Sequence, residues 1–88
     1  SETDAQATLE REEACGDETC WVIAFAPKAK EIAYSRIRIW VDDRYRLRRF
    51  EFIGDRDEVV KRLEIQDIRD GGAIPTALRL EMDNVRGG

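Results

Sequence analysis

Histidine is absent from the 88 residues, while methionine occurs once and proline and cysteine twice each. Without an imidazole, a serine or cysteine nucleophile has no ordinary base, which argues against triad-type hydrolysis. No further cysteine and no histidine are present to complete a tetrahedral zinc site around Cys15 and Cys20. Their spacing is not the Cys-x-x-Cys of redox enzymes either. No apolar run approaches the ~20 residues of a membrane-spanning helix, and there is no signal-peptide pattern, internal repeat or glycine-rich phosphate loop. The clustered acids Asp42-Asp43 and Asp55-Arg56-Asp57 fall in turns, where carboxylates serve local hydrogen bonding. Gly54 to Glu58 lacks the ligand spacing of a twelve-residue calcium loop. The expectation is a non-enzymatic protein with no catalytic residue, no metal and no cofactor.

What is present is charge, unevenly placed. The net charge is −4. Before Trp21 the acids are Glu2, Asp4, Glu10, Glu12, Glu13, Asp17 and Glu18, against Arg11 alone. From Lys28 to Arg49 the balance reverses, with Lys28, Lys30, Arg36, Arg38, Arg44, Arg46, Arg48 and Arg49 against Glu31, Asp42 and Asp43. A basic stretch on an acidic chain can steer an anion. The plainer reading favours arginines on the wet face of a sheet, paired with acids across strands. Arg36, Arg38 and Trp40 share a face, as a single-strand nucleic-acid surface would require. The overall acidity and the absence of an RNA-binding motif weigh against nucleic acid as a partner.

Runs of strand-forming residues alternate with turns at nearly even spacing, the pattern of an antiparallel meander. Residues 7–13 read as a weak, charged first strand. Cys20 to Ala26 is apolar at every position, as in a strand covered on both faces. Ser35 to Asp42 alternates, with Ile37, Ile39 and Val41 on one side and Arg36, Arg38, Trp40 and Asp42 on the other. Arg46 to Ile53 returns with Phe50 and Phe52 on one face and Leu47 and Ile53 on the opposite one. Residues 58–68 read as a strand on their β-branched content, although a short helix also fits. Asp70-Gly71-Gly72 is a hairpin turn, and Ile74 to Asp83 reads as a closing strand. Cys15 and Cys20 are expected to face each other across a four-residue loop as a disulfide, which implies an oxidising compartment such as the periplasm. The expected fold is all-β, a meander of five to six strands in one domain over 1–88, with a disordered acidic N-terminus at 1–6 and a flexible C-terminus at 86–88. Because the chain opens on Ser1 rather than methionine, it is read as a piece of a longer protein.

A lone meander has one apolar face, and domains need at least two packed layers. The face must close into a barrel, dimerise, be covered by further sequence or hold an apolar ligand.

The order of features bears on that choice. Cys20-Trp21-Val22-Ile23, Pro27-Lys28, Tyr34-Ser35-Arg36-Ile37 and Ile39-Trp40-Val41-Asp42 come first. Leu47, Phe50-Glu51-Phe52, Lys61-Arg62-Leu63 and Asp67 follow, and Ile74-Pro75-Thr76, Leu80-Glu81-Met82 and Asn84 close the series. From about Thr8 to Val85 the chain resembles the C-terminal half of the outer-membrane lipoprotein-sorting proteins, the LolA-like periplasmic carriers. The resemblance implies a curved, unclosed β-barrel whose concave apolar face, lined by helices, shelters acyl chains in transit between membrane partners. The N-terminal strands and covering helices of that pattern have no counterpart here, nor does a strand after Gly87-Gly88.

Two functions follow as expectations. The leading one is a fragment of a periplasmic lipid or lipoprotein carrier, with acyl chains held against Ile37, Ile39, Val41, Phe50, Phe52, Leu63, Ile65, Leu78 and Leu80. The alternative is a protein–protein interaction module that pairs through an open sheet edge or its apolar face, including as a homodimer of the fragment. A sheet-face anion binder built on Arg36, Arg38, Arg48 and Trp40 is a weaker third.

Overall fold

The structure, a computed structural model, describes residues 5–27 and 33–68 together with Leu80 and Asp83. Five strands form one antiparallel sheet in sequence order: β1 (Ala5–Cys15), β2 (Glu18–Pro27), β3 (Arg36–Asp42), β4 (Leu47–Ile53) and β5 (Val59–Glu64). β1 and β5 are the two edges, so the sheet is open and the fold is the all-β meander expected. β1 starts at Ala5, inside the stretch expected to be disordered. The closing strand expected at 74–83 is not what Leu80 and Asp83 adopt, since both are helical. The rest of that span, the Asp70-Gly71-Gly72 turn and residues 86–88 lie outside the described residues.

Each turn has a local cause. Gly16, at a φ of 62°, takes the left-handed conformation that the two-residue loop between β1 and β2 requires. This loop is shorter than the four residues expected: Cys15 pairs with Glu18, and the Cys15–Cys20 disulfide bridges the hairpin diagonally, with Cα atoms 5.7 Å apart. Between β3 and β4 the backbone closes with the Tyr45 amide donating to the Asp42 carbonyl at 2.9 Å, and Tyr45 sits at a φ of 62°. Between β4 and β5, Gly54 accepts from the Asp57 amide at 3.0 Å. A Cβ on Gly54 would lie 2.5 Å from the Glu58 carboxylate, so a larger residue there would displace the Glu58 side chain.

Three register shifts bend the sheet. Each leaves one extra residue on a strand: Glu10 in β1, Arg48 in β4 and Val60 in β5. The first two matter for the pattern of faces. Strict alternation would place one member of Glu10-Arg11 and one of Arg48-Arg49 among the apolar side chains. With the extra residue, both members of each pair make their contacts on the polar face. The same shift pairs Leu47 with Val41, so Leu47 joins the face of Phe50 and corrects its expected placement opposite.

Asp42 anchors one end of the sheet. Its side chain is fully buried and accepts the Arg44 and Arg46 amides at 2.9 and 3.0 Å. It also accepts the Arg46 Nε at 2.8 Å and an Arg48 Nη at 3.1 Å. Burial pushes its carboxyl up. The Arg46 and Arg44 amides and the two guanidinium groups more than offset this and hold it below the usual 3.8. A carboxyl depressed in the folded state stabilises fully above its unfolded-state value, and that contribution is lost as pH falls through the folded-state value. Urea unfolding should therefore show stability falling on acidification below about pH 4. Asp42→Ala should cost about 3 kcal/mol at neutral pH and flatten that acid limb. Replacing both cysteines with serine should lower stability by about 2 kcal/mol, the contribution of so short a closed loop.

Candidate functional site

The register sorts the side chains into rows running across the strands on each face. On one face the central row is Leu9, Ile23, Ile39, Phe50 and Leu63, one residue from each strand. A parallel row is Ala7, Phe25, Ile37, Phe52 and Lys61, and a shorter one is Trp21, Val41 and Leu47. Ile23, Ile39 and Val41 are buried at the centre, with Ala7, Leu9, Trp21, Phe25, Ile37, Tyr45, Leu47 and Phe50 packed around them. Burying side chains of this size contributes about 1.5–3 kcal/mol each.

Cover decreases toward β5. Ile23 and Ile39 are almost wholly inaccessible, whereas Leu63 at the end of their row is 43% exposed. Phe52, in the next row, touches Tyr34 with ring centroids 5.0 Å apart, and Phe50 at 6.2 Å. The Lys61 ammonium lies 5.7 Å from the Phe52 ring, where a cation is favoured over the π-face. At the opposite corner Tyr45 donates to the Asp83 carboxylate at 2.5 Å, which fixes a helical residue beside this face.

The other face is polar and internally paired. One row runs Glu10–Arg38–Glu51–Arg62: Arg38 donates to Glu10 at 2.7 Å and to Glu51 at 3.1 Å, and Arg62 donates to Glu51 at 2.9 Å. In the next, Arg49 donates to Glu64 at 2.7 Å and lies 4.9 Å over the Trp40 ring, while the Trp40 indole donates to Glu13 at 3.0 Å. In the third, Arg46 and Arg48 join Glu18 to Asp42. Beneath these links β2 contributes Ala24, Val22 and Cys20, all buried and small enough to lie under the longer side chains. Burial opposes the charge on Arg38, but its bonds to Glu10 and Glu51 prevail and raise its pKa. The Trp40 bond, aided by Arg11 and Arg49, holds Glu13 below the ordinary 4.5 against the effect of burial.

These pairs use up the arginines that could have formed an anion site. Arg36 pairs with Asp57, Arg38 with Glu10 and Glu51, and Arg48 with Glu18 and Asp42, while Trp40 lies under Arg49. Among the described residues, the arginines of the basic stretch draw their partners from the acidic stretch before it, through Glu10 and Glu18, and from acids within and after it, through Asp42, Glu51, Asp57 and Glu64.

Of the expected lining residues, the sheet brings Ile37, Ile39, Val41, Phe50, Phe52 and Leu63 onto one face. Ile65 is not among them. It follows β5 and lines a crevice of about 280 Å³ on the polar side, with Trp40, Arg48 and Arg49. Leu80 is an exposed helical residue rather than a sheet position, and Leu78 lies outside the described residues. Alternation could not find Trp21, Ile23 and Phe25, because β2 is apolar at every position and the sequence gives no sign of which set faces inward.

The arrangement defines a class: an open antiparallel sheet, apolar on one face and charge-neutralised on the other. Over residues 1–88 the chain matches, and belongs to, an uncharacterized-protein-like family. No curated protein and no solved structure matches it.

The gradient of cover separates core from candidate site. Ile39→Ala should lower stability by about 2–5 kcal/mol in urea unfolding, whereas Leu63→Ala should cost less than about 1 kcal/mol.

Proposed function

We propose that this protein is a non-enzymatic carrier domain that shelters acyl chains against the apolar face of its sheet. The observation that carries the reading is the course of the central apolar row. It is buried at Ile23 and Ile39 and continues through Phe50 to a half-exposed Leu63. An acyl chain lying along Phe50, Phe52 and Leu63 would extend the core without a polar group to desolvate. The partnered arginines and carboxylates of the opposite face keep that side solvated. Lys61, beside Phe52 at the rim, is placed to meet an anionic head group. The resemblance to the LolA-like lipoprotein carriers supports the same ligand class. The Cys15–Cys20 disulfide supports an oxidising location such as the periplasm, with membrane proteins as donor and acceptor partners.

The test is titration with a fluorescent long-chain fatty acid, alongside native mass spectrometry of the protein before and after organic extraction. Saturable binding is expected. Leu63→Asp, at a position already exposed, should keep the far-ultraviolet spectrum and weaken binding by about tenfold or more, because a carboxylate there must be desolvated by the ligand. Phe52→Asp should abolish binding. Affinity unchanged in the Leu63→Asp protein would overturn the proposal.

A further inference from the structure

The open edge at β5 is complementary to itself. Among the described residues β5 pairs only with β4, and all six of its residues are exposed, Val59, Val60 and Leu63 among them. The other edge is guarded: β1 carries Glu10, Glu12 and Glu13 against Arg11 alone and bulges at Glu10, features that deter edge pairing.

The ladder to β4 fixes which backbone groups of β5 point outward. The Ile65 amide donates to the Arg48 carbonyl at 3.1 Å, one step beyond the facing residues Glu64 and Arg49. Glu64 and Arg49 are therefore a non-hydrogen-bonded pair, and the next residue, Leu63, bonds inward to Phe50. The N–H and C=O groups of Arg62 and Glu64 consequently point away from the sheet.

We infer that β5 pairs with β5 of a second copy, antiparallel about a twofold axis at Leu63. Leu63 then faces the partner's Leu63 as a non-hydrogen-bonded pair, with Cα atoms about 4.5 Å apart. Arg62 faces the partner's Glu64, and the two exchange main-chain bonds through their outward groups; the same pairing recurs across the axis. The polar row Glu10–Arg38–Glu51–Arg62 continues into the partner's Glu64 and the partner's Arg49, its signs alternating throughout. The central apolar row continues from Phe50 through Leu63 to the partner's Leu63. No neighbouring register does this. An axis at Lys61, Arg62 or Glu64 sets that charge against its own copy, and an axis between residues sets apolar positions against polar ones. Agreement of charge, face and hydrogen-bond phase with its own image is what a closed twofold interface requires, and it selects a second copy as the occupant. This edge serves whether or not the adjoining face holds acyl chains.

Sedimentation equilibrium of the full chain, from micromolar to millimolar concentration, should show a monomer–dimer equilibrium that weakens with salt. Arg62→Glu and Glu64→Arg each set like charges at both facing positions, and each should weaken the dimer by about tenfold or more. An equal mixture of the two variants should restore it, because the substituted positions then face each other with opposite charge. In the unaltered protein, hydrogen exchange at the Arg62 and Glu64 amides should slow as concentration rises, whereas the Leu63 amide is protected throughout. Should a variant fail to fold, that measurement still decides the matter. A monomer over the whole range, which would leave the edge to a foreign strand, overturns the inference. So does a dimer indifferent to both substitutions, or one formed without protection of the Arg62 and Glu64 amides.

Discussion

The arginine–carboxylate rows are the constraint on which this sheet depends. A single layer can bury only one of its faces, and the other must be wet, soluble and ordered at the same time. Long charged side chains provide this when they are paired across strands, because their methylene stems cover the small β2 residues while their heads remain hydrated. Isolated surface ion pairs contribute little. Here the pairs share members and include the buried carboxylates of Asp42 and Glu51, so losing one partner strands a charge in a desolvated place. The fully buried Asp42 also joins the β3–β4 turn to this network, which makes turn geometry and face chemistry one cooperative unit.

The bulges are what allow the two faces to stay chemically distinct. Adjacent charges at Glu10-Arg11 and Arg48-Arg49 cannot both lie on one side of a regular strand. An extra residue in each strand brings both members of each pair to the polar face and returns Leu47 to the apolar one. Bulges also bend strands and increase twist. The same device that purifies the faces therefore also bends the strands that carry them.

Much of this was legible. The strands of β3 and β4, the turns after Asp42 and Gly54, the cysteine pair and the apolar set Ile37, Ile39, Val41, Phe50 and Phe52 follow from alternation and turn chemistry. The pairing of the early acids with the later arginines was legible as a charge asymmetry, though not residue by residue. Leu47 was misplaced because a bulge resets the period of two without leaving a mark in composition. Ile65 was misplaced because residues 58–68 read as one long run, whereas β5 ends at Glu64 and Ile65, its amide still donating to the Arg48 carbonyl at 3.1 Å, lines the crevice on the polar side. Leu80 was misplaced because alternation continues through residues 74–83 in the sequence, yet Leu80 and Asp83 are helical. Short apolar alternations are compatible with either state until a neighbour fixes them.

The sequence by itself determined the class of fold, the strands from β2 to β5 and the hairpin disulfide, and it posed the question of what meets one apolar face. These depend on local periodicity, turn residues and the count of reactive side chains, all of which are properties of neighbours along the chain. Only the tertiary structure decided that Arg36, Arg38, Arg46, Arg48 and Arg49 are spent on internal partners, which β2 residues join the apolar face, and that the face is closed over Ile39 but open at Leu63. Those outcomes depend on register between strands, and register is set by contacts between residues as far apart as Glu10 and Arg38.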